Sequence, residues 1–195
     1  SGKVMEYATD AYKTAGLSAN EYMETVTGFS ASLISSLGGD TEKAAEYANM
    51  AITDMSDNAN KMGTDISLIQ NAYNGFAKQN YTMLDNLKLG YGGTKEEMQR
   101  LLDDASKLSG IKYDISSYSD VVDAIHVVQT EMGITGTTAK EASTTIEGSV
   151  SSMSSAWDNW VAGMADSEAN FSQLTSNLVD SIVTAVGNIA PRVIE

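Results

Sequence analysis

The chain has 195 residues, 42% of them hydrophobic, with one proline and no cysteine. That composition suits a folded helical protein and excludes both a disulfide framework and a thiolate metal site. Twelve basic against 26 acidic side chains give a formal charge of −14, which argues against nonspecific binding to nucleic acid or to an anionic membrane surface and leaves room for a basic partner.

No uninterrupted apolar run reaches the roughly 18 residues a membrane span requires, so none is expected in this piece. The start lacks the charged-then-apolar pattern of a signal peptide. Ser1 and Gly2 read as the remnant of a cleaved tag, with Lys3 as the first native residue, and the apolar ending Val193–Ile194–Glu195 reads as a cut from a longer protein.

In chain order, Lys3 to Ala15 reads as a first helix with Val4, Tyr7, Ala8, Ala11 and Ala15 on one face, ended by Gly16. Ser18 caps a second, with Glu21 in the capping-box position and a stripe of Tyr22, Val26, Phe29, Leu33 and Leu37. Gly38 and Gly39 close it. Asp40 then caps a helix from Thr41 to about Asn60, whose Ala44, Ala45, Ala48, Ala51, Ile52 and Met55 make a narrow face suited to close helix approach.

The stretch from Ile66 to Ala105 carries two stronger stripes. Ile66, Ile69, Ala72, Tyr73, Phe76, Ala77 and Tyr81 predict a helix from Ile66 to Leu87. Met98, Leu101, Leu102 and Ala105 predict another from Lys95 to Leu108, capped by Thr94 with Glu97 three residues on. Gly90, Gly92 and Gly93 supply the turn between them.

Gly110 to Ser117 is the one place where an extended connector is expected, because Ile111, Tyr113 and Ile115 alternate. A helix follows from Ser117 to Met132, burying Val121, Val122, Ile125, Val128 and Met132. Thr138 with Glu141 starts the next, running to about Ala165. A last helix, roughly Ser167 to Ile189, carries Phe171, Leu174, Leu178, Ile182, Val183 and Val186, and Pro191 stops it.

The chemistry-bearing residues give little to an enzyme. Gly90–Tyr91–Gly92–Gly93–Thr94–Lys95 lacks both the spacing and the preceding strand of a phosphate-binding loop, so it reads as a capped turn. Asp54, Asp57, Asn58 and Asn60 are oxygen-rich, but the sixth and twelfth positions of a calcium loop fall on Met62 and Leu68, so a solvated helix end is expected. His126 is the sole histidine and sits beside an apolar stripe, which makes it a boundary residue. The neighbouring carboxylates Asp103–Asp104 and Glu96–Glu97 diverge by about 100° on a helix and do not face one substrate. No catalytic residue, metal or cofactor is expected.

Trp157 and Trp160 stand three apart, with Met153, Val161 and Met164 nearby. They read either as core or as exposed anchors for another protein. Trp160–Val161–Ala162–Gly163 is one residue longer than the W-x-G turn of small secreted helical proteins, so a secreted helical effector or binding module stands as the alternative reading.

Long phrases of the chain carry a resemblance. GLSANEYMETVTGFSASLISSLGGDTEKAAEYANMAITDMSDNANKMG, GFAKQNYTMLDNLKLGYGGTKEEMQRLL, IKYDISSYSDVVDAIHVVQTEMGITGTTAKEASTTIEGS and the Trp157–Asp158–Asn159–Trp160 segment resemble the core region of tail tape measure proteins of long-tailed bacteriophages, over nearly the whole chain. The resemblance implies a virion structural protein that sets tail length, assists tail assembly and DNA delivery, and resides in the virion tail and, during assembly, in the host cytoplasm. It also implies protein partners: the tail tube protein, tail assembly chaperones, tail-tip proteins, and self-association in the full-length protein. Direct nucleic-acid binding is not expected, and membrane contact only through chain outside this piece.

The fold expected is all-α, with roughly seven to nine mostly antiparallel helices, glycine-punctuated turns and no persistent sheet. A compact domain over residues 1–135 and a helical hairpin over 136–195 are expected, with the hairpin packed on or continuing the first domain.

Overall fold

The computed structural model describes residues 2–166 and 169–194. The protein is all-α: 77% helical, with ten α-helices and no strand among the described residues. In order these are α1 (Gly2–Thr14), α2 (Ala19–Thr27), α3 (Ser30–Ser36), α4 (Thr41–Met62), α5 (Ile66–Ala77), α6 (Lys95–Ser109), α7 (Tyr118–Glu131), α8 (Thr137–Thr144), α9 (Ile146–Ala165) and α10 (Phe171–Ile194), with a 3₁₀ turn at Leu84–Leu87. The chain divides into two compact units. One is Thr25–Thr137. The other joins Gly2–Glu24 to the described residues from Thr138 onward, so the first helix groups with the last ones.

The helix starts follow from side-chain caps. Ser18 Oγ accepts from Glu21 N at 3.2 Å while Glu21 Oε1 accepts from Ser18 N at 3.1 Å, a complete capping box. Asp40 accepts from Lys43 N at 3.0 Å, and Gly63, left-handed at φ 69°, closes α4. Thr94 caps α6 through Glu97 N at 3.1 Å, but Glu97 turns its own carboxylate to Gly92 N and to Arg100 and away from Thr94.

The helix count exceeds the sequence expectation because two stripes that read as continuous are broken. The Ser18–Leu37 stripe splits at Gly28 and Phe29, where Gly28 lies so close to Asn74 that a Cβ would stand 2.8 Å from its Oδ1. The run from Thr138 splits at Thr145, whose Oγ1 accepts from Gly148 N at 3.0 Å and so caps α9. Thr138 itself lies inside α8.

The helix expected from Ile66 to Leu87 also ends early. Past Ala77 the amide of Asn80 bonds back to Gly75 O at 2.9 Å, Gln79 is left-handed at φ 58°, and Asn80 Oδ1 accepts from Thr82 N at 3.1 Å. Tyr81 is nevertheless buried, delivered by the turn instead of the helix. Pro191 does not stop α10 but lies inside it. Only three helical residues follow it, so little of the helix depends on the geometry it disturbs.

In the Thr25–Thr137 unit, α4 packs against α3, α5 and α7, and α6 packs against α7. Leu33, Ile52, Met55, Ile69, Tyr73, Phe76, Leu84, Leu87, Met98, Leu101, Val122 and Ile125 fill its interior. At roughly 25 cal/mol per Å² of apolar surface removed from water, that filling is the main force holding the unit. Phe29 meets Tyr118 edge-on at 6.4 Å, and Tyr118 Oη donates to Tyr73 O at 3.0 Å. Met132, expected inside, is exposed, because it falls at the C-cap of α7.

The second unit is assembled differently. Here α9 packs against α1 and α10. The residues α9 buries are Ser149, Ser152, Ser155, Ala156, Asn159 and Gly163. Those α10 buries are Leu174, Asn177, Leu178, Ser181 and Ala185. Small side chains let helix backbones approach closely, and several of the polar ones find partners. Ser155 Oγ donates to Gly16 O at 3.2 Å, Asn159 Oδ1 accepts from Ala19 N at 2.7 Å, and Ser181 Oγ donates to Leu178 O at 2.8 Å.

Candidate functional site

Two features of the chain depart from the ordinary pattern of apolar inside and polar outside, one in each unit. The first is a buried polar cluster between α4 and α7. The expected solvated end of α4 is corrected here: Asp54, Asp57 and Asn58 are all at or below 1% exposure, and only Asn60 is exposed. Positions 54, 57 and 58 continue the small-residue face of Ala48 and Ala51 at steps of three and four, which turns them toward α7.

There His126 Nδ1 stands 3.0 Å from both carboxylate oxygens of Asp54. Gln129 Nε2 donates to Asp54 O at 3.1 Å, Asn58 Nδ2 donates to Leu87 O at 2.9 Å and to Gln129 Oε1 at 2.8 Å, and Asp57 Oδ2 accepts from Gly136 N at 2.8 Å. Burial pushes the Asp54 carboxyl up to about 6 against the pull of His126, and the hydrogen bond to Asp54 raises His126 above its ordinary value. Each polar contact joins separate segments of one unit, so the cluster ties α4, α7, the 3₁₀ turn and the Gly136 turn together. Among the described residues the His126 Nε2 takes no hydrogen bond, and no group of three or more histidine or carboxylate side chains is placed to hold a metal ion. The arrangement is that of a clasp.

The glycine loop at Gly90–Lys95 is likewise occupied by its own chain. Gly92 N is taken by Glu97 Oε1 at 3.2 Å, Arg100 Nη2 donates to Gly90 O at 2.8 Å, and the Arg100 guanidinium lies 4.3 Å over the Tyr91 ring. The capped-turn expectation describes it.

The second feature is the outward face of α9 and α10. Much of what these helices bury is small or polar, with Leu174 and Leu178 beside it, and most of their other large apolar residues point out. On α9 these are Val150, Trp157, Val161 and Met164, all on the side opposite the packing face, at offsets of 7, 11 and 14 residues. On α10 they are Val179, Ile182, Val183 and Val186, at offsets of 3, 4 and 7. Of the apolar residues expected on the last helix, Phe171, Ile182, Val183 and Val186 are at the surface and Leu174 and Leu178 are buried. Val183 reaches 65% exposure.

The two tryptophans divide between the readings the sequence left open. Trp160 is half-buried against the Tyr12, Ala156 and Leu178 cluster, its indole N–H donating to Thr175 Oγ1 at 3.1 Å. Trp157 is 52% exposed, its ring 5.5 Å from that of Trp160, which in turn lies 5.6 Å from Phe171. The Trp160 ring thus braces Trp157 from behind while leaving its outer surface to solvent.

Sequence reasoning located Trp157 with Val161 and Met164 beside it but missed Val150 and the face of α10. The signal was present in the serines of α9: Ser149, Ser152, Ser155 and Asn159 recur at steps of three and four, a second stripe that competes with the apolar one for the interior. Compared with family models, with curated proteins and with solved structures, the chain matches none.

Proposed function

We propose that this chain is a segment of the tail tape measure protein of a long-tailed bacteriophage or prophage, acting as a non-enzymatic docking module in tail assembly. The observation that carries the assembly role is the outward face of α9 and α10. A row of valine, isoleucine, methionine and tryptophan turned to solvent, on helices whose interior is largely small and polar with Leu174 and Leu178, is the mark of a surface built to be covered by another protein. The phage assignment rests on the long phrases of sequence that resemble tape measure proteins. In that setting the covering partners are the tail tube protein, the assembly chaperones, the tail-tip proteins or further stretches of the tape measure itself, and the site of action is the virion tail.

An in-frame deletion of Lys3 to Glu195 in a phage carrying the segment tests the reading by electron microscopy of tails. Tails shortened by up to about 290 Å, the helical length at 1.5 Å per residue, are expected if the segment is paid out as ruler. Loss of tails is expected if its docking role dominates. Normal tails with normal infection would overturn the proposal.

A further inference from the structure

The charge around the outward face of α9 and α10 narrows what covers it. Every charged residue from Glu141 to Asp180 is acidic, and the sequence holds no lysine or arginine between Lys140 and Arg192. On α9 the exposed Glu147 and Asp158 lie beside the row of Val150, Trp157, Val161 and Met164, and on α10 the exposed Asp180 adjoins Val179 and Val183. A groove of about 450 Å³ opens on the other side of Asp158. Ala162, Gly163 and Leu174 line it together with Asp158 and Asp166, and among the described residues its lining holds no lysine or arginine. Asn159, 6% exposed, is part of its wall, with its amide Nδ2 buried and unbonded while its oxygen is held by Ala19 N.

We infer that this face binds a basic amphipathic helix of a partner protein. The inference rests on the docking-module reading above and names the partner's chemistry. Apolar side chains of the incoming helix lie along Trp157, Val161 and Met164. Its lysines or arginines stand over Glu147 and Asp158, and one of them enters the groove, stem on Leu174 and Gly163 and cation toward Asp158 and Asp166. The methionine and the open tryptophan suit such an occupant, since both adapt to irregular apolar partners. A second copy of this chain presenting the same face would bring carboxylates against carboxylates, and an anionic lipid surface would meet the same repulsion.

The test is a titration of the intact chain, followed by its tryptophan fluorescence, with a tryptophan-free helical peptide of about 18 residues. That length spans the row on α9 at 1.5 Å per residue. One peptide carries leucines flanked by lysines, and its control carries the same leucines flanked by glutamates. Saturable binding of the lysine peptide with a blue shift is expected, at least about tenfold tighter than the control and weakening with added salt. Trp157→Ser and the pair Asp158→Asn with Asp166→Asn should each lose about tenfold, with unchanged thermal unfolding as the check on folding. Equal binding of both peptides, or of neither, would overturn the inference. So would self-association of the free chain that Trp157→Ser abolishes, or a blue shift given by neutral lipid vesicles and by no peptide. Any of these leaves the tape measure reading to the deletion experiment, which does not depend on the partner's charge.

Discussion

Within Thr25–Thr137 most of the large side chains are inside, and the buried Asp54, Asp57, Asn58 and Gln129 are hydrogen-bonded within the unit. In α9 and α10 serine, alanine and asparagine share the interior with Leu174 and Leu178, while most of the valine and isoleucine and Trp157 stand outside. The contrast shows that a helix interface can be set by small side chains that let backbones approach, and that apolar bulk does not decide it alone. A fold that places its bulk outside keeps that surface for something else.

The largest expected effect separates the two units. Leu101→Ala, in the core of the first, should lower stability by about 2–5 kcal/mol in urea denaturation. A loss below about 1 kcal/mol would mean that this interior is not close-packed. The polar clasp comes next: Asn58→Ala strips the partner from Leu87 O and Gln129 Oε1, and a loss of about 1–3 kcal/mol is expected by the same measurement.

The clasp also makes a pH dependence. Asp54 and His126 both hold their protons more tightly when folded, so the native state binds protons that the unfolded chain releases. The stabilisation is complete below the ordinary Asp54 value of 3.8 and is lost as pH rises, first through about 6 for Asp54 and then through the raised value of His126, above 6.5. Thermal unfolding should therefore shift to lower temperature as pH rises from about 4 through 6 and on through the raised value of His126 above 6.5, and Asp54→Asn should flatten the part of that slope below about pH 6. An unchanged slope in the variant would assign the effect to the general acidity of the chain instead. The smallest change is expected in the second unit. Val183→Ser on α10 should alter stability by no more than about 0.5 kcal/mol, since its side chain is mostly in water already.

Much of the fold was legible where one signal stood alone. Met98, Leu101, Leu102 and Ala105 form an unbroken stripe behind a threonine cap, and α6 is where they put it. Ser18 with Glu21 and Asp40 announced two more helix starts. Legibility failed where two signals competed. Gly28 and Thr145 interrupt stripes that continue on either side, and a local turn outweighs periodicity there. Asp54, Asp57 and Asn58 looked solvated because single residues were weighed by type. Their partners, His126 and Gln129, lie about 70 residues away and are invisible to local reasoning. The face of α10 was misassigned for the opposite reason, since hydrophobicity alone sends Val183 and Val186 inward. Of the candidate site, the sequence supplied Trp157 and the acidic surplus. The small-residue packing that pushes Trp157 outward came only with the fold.

The most direct test of that outward placement is collisional quenching of one tryptophan. Trp160→Phe keeps an aromatic ring behind Trp157 and leaves Trp157 as the single fluorophore. Red-shifted emission, quenched by acrylamide nearly as readily as free tryptophan, is the result expected from a ring about half exposed on an uncovered helix face. Blue-shifted emission that resists acrylamide in dilute, monomeric protein would contradict it and return Trp157, with the whole face of α9, to the interior.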